Sequence, residues 1–483
     1  MKKQNVWISF LLILLVAQPG LSTGQAELPE LKKAAIENIE TNAKSLIKIS
    51  DAIWECAEIA LLEYRSAEIL ADAAEKAGFS VERGVADLPT AFVASFGSGK
   101  PVIGVLAEYD ALPGLSQDST PYPKVLTEGG AGHGCGHNLF GAGSFGAALA
   151  LKEILKNHKI PGTVRLYGCP AEEDVGGKVY MAREGLFDDL DVCLAWHPSQ
   201  ETQVDTRSSQ AIDDIRIEYF GKTSHAAFDP WRGLSALDAL EMTTFGVNLL
   251  REHIKPTVRI HYVITNGGDV PNIVPDHTEL WIWVRDSKRQ GVKDVVSRVE
   301  KIAEGAALAT GTQVKVHKMG SYHEMLVNMT GAKAMQKNLE KLGPILYSEN
   351  ELAFAKRMQR EAGVEELGMD SSISALEAEG EPEGGSTDVA EVSWIVPTLH
   401  ISTATAPSQV PWHSWAVVSA SKHSIGYKGM LLAAKVMAMT GLDFLTNEEL
   451  RKAAFKEFKE KLGGYTYTSG IPKDRKPPIR KKK

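Results

Sequence analysis

Cysteine is scarce in this chain, which has only four in 483 residues: Cys56, Cys135, Cys169 and Cys193. A small secreted domain held together by disulfides would need a denser framework, so that class of protein is excluded. We place Cys169 and Cys193 on neighbouring parallel strands, one at a strand end and one at a strand start, and expect that offset to exceed the roughly 7 Å Cα limit for a disulfide, so the two should stay unbonded. Positive charge is not in excess either, because the formal net charge is −8. We therefore predict that nucleic acid is not a partner.

The apolar run near the N-terminus, Val6–Ala17, is too short to be an ordinary membrane span, which needs about 20 residues. Lys2 and Lys3 precede this run and small residues follow it, as in a secretory signal peptide. We predict that residues 1–26 form such a peptide, with an uncleaved anchor as the alternative. The mature protein would then be secreted or periplasmic, without stable membrane insertion.

The order of predicted elements divides the remaining chain into two folded units. Apolar strands alternate with helices up to residue 207, which predicts an α/β domain with a buried, mainly parallel sheet. From residue 208 to 323 the order is β-α-β-β-α-β, typical of a ferredoxin-like α+β unit. Helix–strand alternation resumes afterwards. We therefore predict an α/β domain of residues 27–207 and 324–470 with an inserted domain at 208–323, and a basic disordered tail at 471–483.

The most informative motif is the glycine-rich run Ala131–Asn138, which contains Cys135 and His137. Glycines let a loop approach an ion closely, and thiolate and imidazole are ligands that a zinc-like ion prefers. A plain tight turn would explain the same glycines, so the loop alone leaves two alternatives open.

Polar residues elsewhere favour the metal. Open α/β sheets bind ligands at the carboxyl ends of their strands, where four further candidates are predicted: Asp110, Glu172, Glu173 and His197. His413 supplies a late histidine. Five ligands suffice for two metal ions that share a bridging water, polarise an amide carbonyl and acidify the water. One of the adjacent glutamates can bind metal while the other acts as the base.

Several candidates keep alternative interpretations. Asp110 is either a residue that supports a ligand or a turn residue, and His133 is a loop or supporting residue rather than a ligand. His423 competes with His413 as the late ligand. His400 lies within a predicted strand and is interpreted as a satisfied core histidine. Ser386 has no base beside it in any motif, so a loop role is preferred to a nucleophile.

These motifs resemble the dinuclear metal amidohydrolases and peptidases, a family that includes aminoacylase, carboxypeptidase G and plant auxin-conjugate hydrolases. The aminobenzoyl-glutamate hydrolase B-subunit group is the most similar. The resemblance covers nearly all of the mature chain. The matching stretches are Glu108–Ser116, Gly132–Leu139, Pro170–Glu173, Lys222–Ala227, Pro271–Pro275 and Ser386–Val389.

The resemblance implies a role for each matching residue. Glu172 would be the general base, and two divalent ions, Zn²⁺ or Mn²⁺, would be held by Cys135, His137, Glu173, His197 and His413. The inserted domain resembles the family's dimerisation lid.

In that lid, the resemblance implies that His225 reaches the partner subunit's active site and that Asn272 contributes to binding a substrate carboxylate. Arg285, at the end of a predicted strand of the lid, is either a carboxylate-binding residue or part of a structural ion pair. We expect a homodimer, with a hetero-oligomer containing a related subunit as the alternative.

The expected activity is that of a metal-dependent amidohydrolase cleaving N-acyl or N-aroyl amino acids. The nearest alternative is a metallo-dipeptidase with the same machinery. A non-catalytic metal or peptide binder is disfavoured, because pure binding needs no base beside Glu173. The sequence does not select the acyl group, the amino acid or the metal.

Overall fold

The structure, a computed structural model, describes residues 28–382 and 385–479. The predicted signal peptide, residues 1–26, lies outside the described residues. Two sheets organise the chain, one of seven strands and one of four. Each sheet has its own hydrophobic core, which agrees with the α/β and α+β units predicted from the order of elements.

The elements follow one another in three stretches. The first part of the α/β domain contains α1 (Leu28–Cys56), α2 (Tyr64–Lys76), β1 (Ser80–Arg83), β2 (Phe92–Ser98), β3 (Val102–Glu108), α3 (His137–His158), β4 (Gly162–Cys169), α4 (Gly177–Arg183), β5 (Val192–Ser199) and β6 (Gln203–Val204). The inserted domain contains β7 (Ala211–Phe220), α5 (Ala236–Leu250), β8 (Arg259–Asn266), β9 (His277–Asp286), α6 (Arg289–Thr310) and β10 (Gln313–Tyr322). The second part contains α7 (Met329–Leu342), α8 (Glu349–Glu361), α9 (Val389–Ser393), β11 (Thr398–Ala404), α10 (Trp415–Ala420), α11 (Ser424–Thr446) and α12 (Glu448–Leu462).

The large sheet has the strand order β1-β2-β4-β3-β5-β11-β6. Its four central strands β4, β3, β5 and β11 run parallel, as predicted. The strands β1, β2 and β6 add antiparallel pairings toward the two edges. These three were not predicted, because none carries a continuous apolar run: β1 and the second half of β2 are mostly outside the core, and β6 has only two residues.

Helices α1, α3 and α11 pack together against the sheet. By length and composition α11 is apolar enough to cross a membrane, but most of it is buried inside the protein. Close packing needs small residues here: a Cβ atom at Gly146 of α3 would lie 2.8 Å from Leu46 of α1. The apolar character of α11 is therefore explained by its place in the core.

The inserted domain spans Ala211–Tyr322, within the predicted range 208–323. Its strand order is β10-β7-β9-β8, and every neighbouring pair is antiparallel. Along β9, buried residues alternate strictly with partly exposed ones, as expected for a sheet with one covered face. Helices α5 and α6 cover that face.

The predicted disorder of the C-terminal tail is wrong for residues 471–479. Ile471 is only 2% exposed. The Arg183 side chain donates hydrogen bonds to the backbone carbonyls of Pro472 and Arg475, at 3.1 and 2.6 Å. One apolar side chain and two carbonyl contacts thus hold a segment whose composition suggested disorder; residues 480–483 lie outside the described residues.

All four cysteines are free, which confirms the prediction that Cys169 and Cys193 are not bonded to each other. The expected reason needs correction. The two cysteines do not lie on neighbouring strands, because β3 lies between β4, which carries Cys169, and β5, which carries Cys193.

Candidate metal centre

The candidate ligands come together at the carboxyl edge of the parallel strands. Gly136, with a left-handed φ of 77°, precedes α3 and turns the chain so that Cys135 and His137 lie at the start of this helix. His197 lies on β5, and the paired glutamates follow β4. Three overlapping groups have candidate ligand atoms within 4.8 Å of one another: Cys135–His137–His197, Cys135–Glu173–His413 and Glu108–His137–Glu172.

Individual distances show how tightly this cluster is built. The Cys135 Sγ atom lies 3.4 Å from His197 Nε2, and the Trp412 indole N–H donates to the same sulfur at 3.3 Å. His413 Nε2 lies 3.4 Å from Glu173 Oε1. The five predicted ligands therefore lie in two neighbouring groups that share Cys135.

Asp110 positions two of these residues at once. Its Oδ1 atom lies 2.8 Å from His137 Nδ1, and its Oδ2 atom accepts the backbone N–H of Glu173 at 3.0 Å. A carboxylate on Nδ1 leaves Nε2 as the ring atom facing a ligand. The geometry therefore favours the supporting role for Asp110 over the turn role.

The cluster fits a cation because three of its buried polar atoms have no hydrogen-bond partner among the described residues: Glu173 Oε1 and two atoms that face each other. The facing atoms are Glu108 Oε2 and His137 Nε2, which lie 3.2 Å apart. Orphaned buried polar atoms are costly in a folded protein unless something satisfies them. A cation between the carboxylate and the imidazole would satisfy both, and the donor set of thiol, imidazole and carboxylate suits a transition metal.

The electrostatics separate the two adjacent glutamates. Burial, with the nearby carboxylates of Glu108 and Glu173, raises the pKa of Glu172 well above its ordinary value. Burial opposes ionisation of Glu173 too, but His413 and His137 lower its pKa to about 2. Two glutamates next to each other in sequence therefore have pKa values shifted in opposite directions. Such a difference between neighbouring titratable groups is typical of residues with different roles in one site.

Burial also acts on the Cys135 thiol and on the His197 imidazole. It raises the pKa of the Cys135 thiol, and the neighbouring Glu173 carboxylate raises it further. Burial, together with His137, lowers the pKa of His197 to about 4. A neutral imidazole is the form that binds metal.

Two residues of the site have strained backbones. Ala171, just before the glutamate pair, has φ of 61°, and His413 has φ of 54°. Left-handed conformations are unfavourable for residues other than glycine and concentrate at functional sites. Here they turn Glu172, Glu173 and the His413 ring toward the cluster.

The alternatives for the other histidines are also decided. His133 is buried, its Nε2 atom lies 3.1 Å from the Ile53 carbonyl oxygen, and burial lowers its pKa to about 3. His423 caps α11 and stacks on Phe354 with ring centroids 3.8 Å apart, outside the three candidate groups. The interpretation of His400 as a core histidine is wrong, because His400 lines a cavity next to the cluster.

The inserted domain contributes to the site unevenly. His225 and Asn272 are exposed in neighbouring loops joined by the His225–Ile273 bridge, and neither lines the cavity of their own chain. Arg285 lies nearer. It donates a 3.2 Å hydrogen bond to Ser386, which lines the cavity. Within residues 28–382 and 385–479, Arg285 forms no ion pair, and its polar contact is the hydrogen bond to Ser386.

A buried charge network next to the cluster was missed in the sequence. The Lys178 ammonium lies 2.6 Å from Glu108 Oε1 and 2.5 Å from Asp388 Oδ1. All three side chains are at most 1% exposed. Charged groups are almost never so buried unless paired. A lysine in the otherwise apolar start of α4 and an aspartate in the Ser386–Val389 motif were the available signals.

Beside the cluster is a cavity of about 690 Å³. Four candidate ligands border it on one side, together with Glu172 and Trp412: Cys135, Glu173, His197 and His413. Residues of β6 and β11 also line the cavity. A small organic molecule can therefore lie with one end at the ligand cluster.

Comparison with known proteins agrees with this architecture. The model of Peptidase family M20/M25/M40 matches residues 104–344. The chain is 38% identical over 474 residues to the B-subunit of p-aminobenzoyl-glutamate hydrolase from Escherichia coli (strain K12), covering 92% of this chain and 98% of the relative. It is 32% identical to the Xaa-Arg dipeptidase of Homo sapiens, covering 94% and 97%.

The fold is also shared with a solved structure from Bacillus subtilis. That structure, the YXEP protein, is described as a dinuclear metal binding peptidase. It matches with a TM-score of 0.56 at 19% identity, covering 84% of this chain and 99% of the other.

Proposed function

We propose, from the premise that this chain belongs to peptidase family M20/M25/M40, that it cleaves the amide bond of N-acyl or N-aroyl amino acids. Membership makes it a hydrolase of amide or peptide bonds. One observation carries the proposal. The Glu172 carboxylate belongs to one candidate metal group and its neighbour Glu173 belongs to another. Both side chains line a cavity large enough for a small molecule.

We assign the ligand role for two divalent ions, Zn²⁺ or Mn²⁺, to Cys135, His137, Glu173, His197 and His413. Zn²⁺ suits the thiol and imidazoles, and Mn²⁺ is the alternative because carboxylates contribute. When bound, such ions polarise the scissile carbonyl and acidify a water molecule.

The chain itself supplies the proton transfers. Glu172 takes a proton from the attacking water and returns it to the leaving amine. Its place in the candidate group with Glu108 and His137 keeps its carboxylate at the reacting centre for both steps. Asp110 keeps the His137 ring in one orientation throughout.

The inserted domain completes the site from the other protomer. In a dimer, exposed His225 would donate to the carbonyl oxygen as negative charge develops on it, and Asn272 would bind the substrate carboxylate. Arg285, held against Ser386 at the cavity, is a second carboxylate-binding group within the same chain.

The dimer interface is proposed at α5 and β8. One stripe of α5 exposes Met242, Phe245 and Leu249 by 46, 65 and 59%. On β8, the free edge of the four-stranded sheet, Val263 and Ile264 are exposed by 59 and 46%. Exposed apolar surface of this kind is typical of protein interfaces, and a free strand edge can pair with another chain.

Two further proposals concern where and with what the protein works. The N-terminal segment, residues 1–26, is proposed to direct export. The Escherichia coli relative is named as one component of a hydrolase with more than one kind of subunit, which supports a second arrangement in which this chain pairs with a related protein.

A dipeptidase activity is the second candidate, supported by the 32% identity to the human Xaa-Arg dipeptidase. A substrate panel separates the two activities. After chelation and reloading with Zn²⁺ or Mn²⁺, the protein should hydrolyse N-benzoyl and N-(4-aminobenzoyl) amino acids faster than dipeptides with a free amine. Preference for dipeptides would overturn the proposal. Glu172→Gln, assayed in parallel, excludes hydrolysis by a contaminant.

A further inference from the structure

The cavity continues past the ligand cluster to a polar end formed by β11 and the chain after β6. His400, Ser402 and Asp205 line this end. On the parallel pair of β5 and β11, Ser402 lies beside His197 and His400 lies beside Ala195. Alternate residues of a strand share one face. His400 therefore lies on the face that carries His197, displaced by two residues, roughly 6.6 Å.

His400 is held in one orientation by Asp205. Its Nδ1 atom lies 2.6 Å from Asp205 Oδ2, and the same oxygen accepts a hydrogen bond from the Ser402 hydroxyl at 2.9 Å. The backbone N–H of Asp205 donates to the His400 carbonyl at 3.0 Å. A carboxylate at Nδ1 fixes the proton there, so Nε2 of the neutral ring keeps its lone pair.

The Nε2 atom of His400 is available for a ligand. It has no hydrogen bond to any residue of the described ranges, and the side chain is 16% exposed at the cavity. Neighbouring polar groups are engaged: the Gln203 amide donates to Asp205 at 3.1 Å, and the Arg207 guanidinium lies 2.8 Å from Glu377. His400 therefore presents a hydrogen-bond acceptor at this polar end of the cavity.

We propose that this end binds the acyl side of the substrate, and that His400 Nε2 accepts a hydrogen bond from an N–H donor on the acyl group, such as a ring amine. The inference rests on the proposed amidohydrolase function. The two-residue displacement between His197 and His400 is close to the span of one substituted benzene ring. Val204, Met325 and Ala375 supply apolar wall for such a ring.

The test compares two substrates that differ only in the donor. N-(4-aminobenzoyl)-glutamate and N-benzoyl-glutamate are assayed with the metal-loaded wild type and with His400→Phe. Loss of one net hydrogen bond, about 1 kcal/mol, should reduce the amino-to-benzoyl ratio of kcat/KM about fivefold in the variant. The intrinsic reactivity of the two amides cancels, because only the change in ratio between variants is used.

Two variants control the result. His400→Gln places an amide near the Nε2 position and should restore part of the ratio. His317→Phe removes another histidine paired with a carboxylate, since His317 Nε2 lies 2.8 Å from Glu218 in the inserted domain. It lies outside the cavity and should leave the ratio unchanged.

Binding supplies an independent readout. The dissociation constants of 4-aminobenzoate and benzoate should differ in the wild type and converge in His400→Phe. An unchanged substrate ratio and unchanged binding in His400→Phe, with melting temperature and metal content preserved, would overturn the inference while leaving hydrolysis intact. If neither amide is hydrolysed by the wild type, the proposed function fails, and binding of 4-aminobenzoate alone then decides the inference.

Discussion

The two domains place their candidate functional residues in opposite environments. In the α/β domain, Glu108, Asp110 and His137 are at most 1% exposed and are held by neighbours within the same chain. In the inserted domain, His225 is exposed, and nearby Phe228 and Trp231 are exposed by 80 and 77%. The candidate groups of the α/β domain are thus enclosed by their own chain, whereas those of the inserted domain face outward.

This difference has a physical origin. Burying a charged side chain costs desolvation free energy. In the α/β domain this cost is offset only because every charge of the buried network has a partner within the fold. An exposed loop has no such requirement and can be completed by association. We therefore predict that a substitution in the α/β domain affects the active site of its own chain, whereas one in the inserted domain affects the active site of the other protomer in a dimer.

The largest effect is expected at Glu172. Glu172→Gln keeps the size of the side chain but cannot accept a proton, so turnover should fall by about 10²–10⁴. Metal content, measured by mass spectrometry after dialysis, should stay near wild type. The matched variant Glu173→Gln should lose metal. The reverse pattern would mean that the two carboxylates are exchanged in role.

The second largest effect is expected in the buried charge network of Lys178, Glu108 and Asp388. Lys178→Met leaves Glu108 and Asp388 buried without their cation, so the free energy of unfolding should fall by about 3–5 kcal/mol. Chemical denaturation measures this. Lys452→Met is the matched control, because Lys452 pairs with Glu448 on the surface, where the two side chains are 63 and 67% exposed. A much smaller loss is expected there; equal losses would contradict the importance of the buried network.

His225 tests whether the domains act across protomers. His225→Ala removes a donor to the developing oxyanion and should lower kcat about 10²–10³-fold with metal content unchanged. Mixing it with Glu172→Gln should restore partial activity, because a mixed dimer contains one site with both groups intact. The unmixed variants are the controls. Subunit exchange is confirmed by native mass spectrometry. If activity does not recover after exchange, His225 acts in the active site of its own chain or has no part in the reaction.

The smallest effect is expected at the proposed interface. Phe245→Asp puts a charge on the exposed stripe of α5 and should weaken the dimer at least about tenfold, given about 1.5–3 kcal/mol for a buried Phe side chain. Sedimentation at several concentrations measures it. Leu308→Asp on α6, 86% exposed in the wild type, is the control. Equal weakening by both variants would argue against an interface centred on α5.

Sequence patterns predicted much of this molecule because their periods and spacings are local. Apolar strands followed by Asp110 and by Glu172 placed these acids at a common sheet edge, and β-α-β-β-α-β order identified the inserted domain. The glycine-rich loop identified Cys135 and His137. The edge strands, the packed residues 471–479 and the cavity position of His400 were not predictable, because each depends on what lies opposite it in space.

The sequence by itself determined the two-domain order, the set of ligand-type residues and the family resemblance, since these are carried by residue identity and by spacing along the chain. Only the tertiary structure decided that Asp110 supports His137, that His413 rather than His423 joins the cluster, and that Lys178 pairs with Glu108 and Asp388. These pairings join residues far apart in the sequence, such as Lys178 and Asp388, which are 210 positions apart. A buried charge is costly unless it is paired, so the residues that are buried beside a charged side chain determine its partner.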